Sequence, residues 1–442
     1  MHRAWDHEVA VVGGGPGGST AASALARRGH SVVVLERERF PRFHIGESQL
    51  PWINEVLVEI GADQMVARAG FVEKWGASFV PPDGSKEFYA DFTQAWEVPS
   101  PRTYQVPRAR FDQLLLEHAA SCGARVLQGR RAERATFDVD GVTLAHTGDD
   151  GDAAELRVGA VIDASGRAGF LAKQFGQRRQ DEVLQNISVH RQFEGIPRAG
   201  GRRAGDIRMV TRSDRGWIWF IPISETVTSV GVVVPRSVHS AYNATGRHSA
   251  EETLDHFLAG APAAARLVAL ARPVSPARYD ADYSYLHDHH AGDRYLLVGD
   301  AGAFLDPIFS TGVLLAMQSG LEAAGVLSEG LRRGDMSRAR FTAYERKLVR
   351  RYRHFRRFAV GFYDAPFRDL FLNPQARFGL YQAMLSILGG NWRPSLKTRL
   401  RIALFFALVG IQRRFPVLVP PLPVEQPPPP QPGMGQPTPG RS

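Results

Sequence analysis

The chain has 442 residues, 44% of them hydrophobic and 22% charged, which fits a soluble globular protein of two or three domains with a sizeable core. Cys122 is the sole cysteine, which excludes an intrachain disulfide, a thiolate metal cluster and a dithiol redox pair, and fits a reducing cytoplasm. The net charge of +9 is uneven: residues 331–414 carry 19 Lys+Arg against 4 Asp+Glu, so the remainder is negative. Such a basic third fits a nucleic acid, a membrane surface or an acidic partner protein, and equally a solvated helical face.

The opening "MHRAWDHEVAVVGGG" enters a strand at residues 8–14 without the layout of a secretion signal. A helix over 17–28 and a second strand, "HSVVVLER" (30–37), complete a βαβ unit. Between them "GGGPGG" sets Gly13, Gly15 and Gly18 in G-x-G-x-x-G spacing. Gly13 permits the tight turn, Gly15 lets the backbone approach a pyrophosphate, and Gly18 lets helix and strand pack closely. Glu36 ends the second strand where a carboxylate takes ribose hydroxyls. The glycine pattern alone is weak; with Glu36 in this context it predicts dinucleotide binding.

Further strands are expected at "AVIDASG" (160–166) and "RYLLVGDAGAF" (294–304), while 183–194 and 217–234 alternate in polarity and read as antiparallel strands. Past about residue 315 the pattern turns helical. The expected fold is α/β: a discontinuous Rossmann-like nucleotide-binding domain (1–80, 106–180 and 276–330), an inserted antiparallel β-sheet substrate domain (81–105 and 181–275) and a basic C-terminal helical region (331–415). Residues 416–442 are proline-rich and expected to be disordered.

Three local patterns need a decision. In "GWIWFIPI" (216–223) strand alternation puts Trp217 and Trp219 on one face, as core filling or as the wall of a dry space. "HDHHAGD" gathers His287, His289 and His290 without a ligand framework, so it is read as a loop and no metal site is assigned. "YERKLVRRYRHFRRF" (344–358) sets Arg346, Arg350, Arg353 and Arg357 on one helical face and Tyr344, Leu348, Tyr352 and Phe355 on another. The apolar run 402–411 is about half a bilayer span, so no transmembrane segment is predicted and a cytoplasmic location is expected.

Together "GGGPGG", Glu36, "YQVPRARFDQLL" (104–115), "VIDASGR" (161–167) and "GDAGAFLDP" (299–307) resemble the FAD-binding domain of flavoproteins of the para-hydroxybenzoate hydroxylase type, over scattered segments of roughly residues 8–320. The resemblance implies FAD contacts from Gly13, Gly15, Pro16, Gly17, Gly18, Glu36, Arg37, Gly46, Ser48, Arg108, Asp163, Gly166, Asp300, Gly302, Pro307 and Val313. No second G-x-G-x-x-G with its own acidic strand end is visible, so a separate flavin reductase is the expected source of FADH2.

Within that superfamily four stretches resemble the flavin-dependent halogenases: "FPRFHIGESQLP" (40–51), "GFVEKWGASF" (70–79), "WIWFIP" (217–222, ending at Pro222) and "FLDPIFSTGV" (304–313). The resemblance implies that reduced FAD and O2 oxidise chloride or bromide to hypohalous acid, which halogenates an aromatic ring. Ser310, Thr311 and Gly312 would cradle the halide, Trp217 and Trp219 would wall off the flavin, and Lys74 would be catalytic. Only five lysines occur (Lys74, Lys86, Lys173, Lys347, Lys397), and an arginine could not easily act as a nucleophilic amine. The plain alternative is a surface lysine beside Trp75.

Tryptophan halogenases carry a glutamate at the position of Phe309, and this chain lacks room for their larger substrate cap. It resembles instead the branch acting on phenols and pyrroles, whose substrates are free or tethered to an acyl or peptidyl carrier protein. Carrier proteins are acidic, so the arginine face at 344–358 is a candidate dock; no nucleic-acid role is assigned to it. The rival reading is an FAD-dependent aromatic monooxygenase; a prenyl-chain reductase and an inactive flavin-binding protein stand further back.

Overall fold

Five parallel strands form the heart of the first sheet, in the spatial order Tyr295–Leu297, Ala153–Asp163, His7–Val12, Val32–Glu36 and Arg125–Gln128. In the computed structural model, which describes residues 5–421 apart from 177 and 374–376, these strands come from four well-separated parts of the chain. Val9, Val11, Val32, Val34 and Ile162 are buried with Ala10, Val33 and Val161 on the opposite face, as strands covered on both sides require. An antiparallel pair, Arg130–Phe137 and Val142–Gly148, extends one side.

The predicted βαβ opening is present as His7–Val12, the helix Pro16–Ala26 and Val32–Glu36. That helix crosses Gly312–Arg333 closely: a Cβ on Gly320 would lie 2.3 Å from the Gly17 carbonyl oxygen. Gly17 therefore serves packing between the two helices whose N-termini open on the nucleotide side.

Among the described residues the second sheet has nine strands. Along it run Ala303–Phe304, Arg278–His287, Arg178–Glu194, Val227–Pro235, Trp217–Pro222, Ile207–Thr211, Gly76–Val80 and Phe88–Asp91, antiparallel except where Ile207–Thr211 meets Gly76–Val80. The two stretches 183–194 and 217–234 are antiparallel as read from their alternation. Period-two alternation divides Trp217–Pro222 cleanly. Trp217, Trp219 and Ile221 join the main core, while Ile218 and Phe220 pack beneath the helix Ala250–Ala259.

The C-terminal part is helical: Arg338–Phe362, Ala365–Phe371, Leu380–Leu388 and Leu396–Arg414. It closes over the tryptophan face of the larger sheet through aromatic edges, such as Phe79 on Phe371 at 5.1 Å and Phe309 on Phe362 at 5.7 Å. Among the described residues no helix is long and apolar enough to cross a membrane. The proline-rich stretch lies outside the described residues from 422 onward.

Candidate active site

A cavity of about 1340 Å³ runs between the two sheets, larger than the roughly 300–1,000 Å³ of an ordinary small-molecule pocket. At one end Glu36, buried at its strand terminus, accepts hydrogen bonds from the backbone N–H of Gly14 (2.6 Å) and of Glu38 (2.8 Å). Gly13 has φ +103°, and a Cβ there would meet the Ala164 carbonyl at 2.4 Å; one on Gly18 would sit 1.9 Å from the Gly13 oxygen. Gly15 is different, since the nearest atom to its Cβ position is Nη2 of Arg42 at 3.5 Å. Space is thus left where the uncapped N-terminus of Pro16–Ala26 points, and a phosphate belongs there.

Arg42 reaches that end from Asp112 (3.0 Å). Arg108 grips the same carboxylate in a fork, Nε to Oδ1 at 2.7 Å and Nη2 to Oδ2 at 2.8 Å, and donates to the Ile45 carbonyl. Arg37, Gly46, Ser48, Gly166, Asp300, Pro307 and Val313 also line the cavity, as do Pro16, Gly17 and Arg108. Burial pushes the Asp300 carboxyl up to about 6, with Arg167 and Arg108 pulling against it. These residues fit a dinucleotide: an acidic group at one end, an open glycine at a helix N-terminus, and basic side chains between.

Two expected contacts are differently placed. Asp163 does not line the cavity; its carboxylate accepts from Ser165 N (3.0 Å), Ser165 Oγ (2.5 Å) and Leu171 N (2.7 Å), so it shapes the loop 164–171 instead. Gly302 packs on His290, whose Cδ2 would lie 2.8 Å from a Cβ there. His287 and His290 are buried, and among the described residues no three His, Cys, Asp or Glu could hold a metal ion.

Beside the cavity Asp306 caps the turn Pro307–Phe309, accepting from Ile308 N at 3.0 Å. Ser310 then takes a left-handed conformation (φ +55°), and Gly312 opens the 22-residue helix Gly312–Arg333. Nothing lies within 4 Å of a Cβ position on Gly312, and the buried Oγ1 of Thr311 has no partner. An open, amide-lined helix N-terminus with an unsatisfied hydroxyl has the chemistry that an anion would need. Ser310 and Gly312 face the cavity, with Thr311 just behind. Phe309 is buried among aromatic rings.

Trp217 and Trp219 line the cavity with ring centroids 5.8 Å apart; Pro222 ends their strand outside it. Each indole is held. Trp217 Nε1 donates to the Tyr363 hydroxyl (2.8 Å), which donates to Asp306 Oδ2 (2.9 Å), itself accepting from Asn186 Nδ2 (2.6 Å). Trp219 Nε1 donates to Ser229 Oγ at 3.2 Å. The first signature tryptophan is therefore tied to the residue that caps the turn Pro307–Phe309.

Lys74 is no surface residue: it is 1% exposed. Its strand Val72–Lys74 pairs with Thr103–Gln105, and its ammonium nitrogen donates to Ser48 Oγ (2.8 Å) and the Gln49 carbonyl (2.9 Å). It does not line the flavin-sized cavity, but Ser48 does, so Lys74 stands one hydrogen bond behind the wall. Burial pushes its amine down to about 7, with Asp206 opposing. Asp206, absent from the motifs, orders this corner by accepting from Trp75 N (2.7 Å), Gly76 N (2.9 Å) and Tyr89 Oη (2.8 Å).

The arginine face of Arg338–Phe362 is exposed at Arg346, Arg350, Arg353 and Arg357, while Tyr344, Leu348, Tyr352 and Phe355 are buried. Arg357 lies over the Phe406 ring at 3.4 Å.

An FAD binding domain matches residues 6–359. The chain is 32% identical over 406 residues to a 1H-pyrrole-2-carbonyl-[peptidyl-carrier protein] chlorinase of Pseudomonas fluorescens, covering 86% of this chain and 89% of that one. It is 34% identical to flavin-dependent halogenase armH3 of Armillaria mellea, over 80% of this chain and 74% of that one. The solved structure of flavin-dependent brominase Bmp2 superposes with a TM-score of 0.81 at 25% identity, covering 92% of this chain and 99% of that one. A cavity large enough for FAD with an open helix N-terminus in its wall, a buried lysine behind that wall and these relatives agree: the chain belongs to the flavin-dependent halogenases.

Proposed function

We propose that this enzyme halogenates an electron-rich aromatic ring, a phenol or a pyrrole, presented on an acyl or peptidyl carrier protein, and that a separate flavin reductase supplies its FADH2. The observation that carries the reading is Lys74: a buried amine one hydrogen bond behind the flavin cavity, with an apolar Phe309 in place of a carboxylate beside the anion site. Rings that need a glutamate to accept a proton find none at that position, so the substrate must be activated by its own hydroxyl or ring nitrogen. The pyrrole chlorinase relative, named for a carrier-bound substrate, supports the tether.

We assign the parallel sheet and its helices to the cofactor and the nine-stranded sheet, closed by the C-terminal helices, to the substrate. Bound reduced FAD supplies the oxygen-activating chemistry that oxidises the halide. The chain's residues do the rest. Glu36 and the helix at Pro16 orient the nucleotide, Thr311 and Gly312 hold the halide at a helix N-terminus, and Trp217 and Trp219 keep the aromatic substrate off the flavin. Lys74 receives the hypohalous acid and aims it at one ring carbon. The exposed arginines 346, 350, 353 and 357 steer the acidic carrier.

The test is mass spectrometry of reactions containing FAD, a flavin reductase with NADH, O2 and chloride or bromide, with phenols and pyrroles offered free and carrier-loaded. The expected product carries a halogen isotope pattern that Lys74→Ala abolishes. Oxygen added regardless of halide would establish a monooxygenase instead.

A further inference from the structure

Glu47 has no part in the assignments above, yet it stands in the wall of the same cavity, 2% exposed. Its backbone is pinned by Val106 N donating to its carbonyl at 2.8 Å. The side chain is under-satisfied: Oε2 is buried without a hydrogen-bond partner, which is rare for a carboxyl group. The groups facing it are few. The Ser229 hydroxyl is its hydrogen-bonding neighbour and already accepts from Trp219 Nε1. Arg108 is the cation acting on it, but that guanidinium is committed to Asp112 and the Ile45 carbonyl. Lys74 is turned to Ser48 and Gln49. Burial pushes the Glu47 carboxyl up to about 7, Ser229 and Arg108 only partly offsetting it.

The stoichiometry of the family's reaction gives such a group work. Reduced flavin, O2, one halide ion and one proton yield oxidised flavin, hypohalous acid and water; the two flavin hydrogens alone do not balance the products. One proton must therefore reach the cavity with each halide. An ionised carboxylate in the same water-poor space would also repel the halide, whereas a neutral carboxyl would not. We propose that Glu47 enters turnover as a neutral carboxyl and donates the proton consumed as halide becomes hypohalous acid, then regains one from solvent.

This rests on the halide-oxidising step and not on the identity of the ring, so the test uses a generic hypohalous-acid trap in place of an aromatic substrate. Glu47→Gln keeps the shape and neutrality but has no proton to give. It should retain flavin binding and halide affinity while trapped hypohalous acid falls about 10²-fold or more and hydrogen peroxide release rises. In the wild type, infrared difference spectra recorded on adding bromide should show the protonated-carboxyl band growing near neutral pH; Glu47→Gln should lack it. Glu47→Asp, which keeps a carboxyl, should recover part of the yield. Wild-type yield in Glu47→Gln, or no carboxyl band of Glu47 on halide binding, would overturn the proposal. A missing product with the aromatic panel but normal trapping would count against the substrate reading alone.

Discussion

Replacing Lys74 by methionine should stabilise the protein and abolish halogenation. The amine is 1% exposed and its pKa is drawn from about 10.5 to about 7 by burial. At pH 7 a lysine so placed costs the fold about 4 kcal/mol relative to the unfolded chain, where it stays charged. Methionine removes that cost but strands Ser48 Oγ and the Gln49 carbonyl, which lose their donors, at roughly 1–1.5 kcal/mol each. The net expectation is a gain of about 1–2 kcal/mol at pH 7. Because the native state binds fewer protons than the unfolded chain between about pH 7 and 10.5, wild-type stability rises across that window. The advantage of Lys74→Met should accordingly shrink by about 2 kcal/mol between pH 7 and pH 9. Denaturant melts of both proteins at the two pH values, with flavin absorbance as a check on the cofactor site, read this directly. A variant less stable at pH 7, or a gap that does not move with pH, would mean that Lys74 is held as a cation, and the argument for a neutral amine would fail.

Gly18→Ala should purify without flavin or not fold, because its Cβ would fall 1.9 Å from the Gly13 carbonyl oxygen; the visible flavin spectrum of the purified protein checks it. Tyr363→Phe cuts the Trp217–Tyr363–Asp306 chain and should lower stability by about 1–3 kcal/mol while raising the halide KM, read from melts and halide titrations. Reversing Arg346, Arg350, Arg353 and Arg357 to glutamate should raise the KM for a carrier-bound substrate by about tenfold or more at low salt and leave a free substrate unaffected; equal loss on both would argue against docking there.

The nucleotide end was legible because its requirements are local: a turn, an open glycine and an acidic strand end lie within one βαβ unit, and Gly13, Gly15, Gly18 and Glu36 each sit where that spacing puts them. The shared face of Trp217 and Trp219 was legible for a similar reason, since strand alternation is fixed at two residues. Asp163 was harder to place, because a carboxylate at a strand end reads the same whether it meets a ligand or, as here, the N–H groups of its own loop. Asp206 and Tyr363 carried no usable signal. Their partners lie far away in sequence: strand pairing in the larger sheet brings Trp75 to Asp206, and packing of that sheet against the C-terminal helices brings Trp217 to Tyr363.

Lys74 shows why this chain, which uses only five lysines, keeps one there. A guanidinium cannot lose its proton, and a buried arginine would need a carboxylate. The carboxylate acting on this site, Asp206, has both oxygens occupied by Trp75 N, Gly76 N and the Tyr89 hydroxyl. The corner thus disfavours the charge of the amine it holds. A neutral amine has two hydrogens and one lone pair. The two hydrogens have acceptors in Ser48 Oγ and the Gln49 carbonyl. Capture of an electrophilic halogen, the role proposed for Lys74, would use such a lone pair.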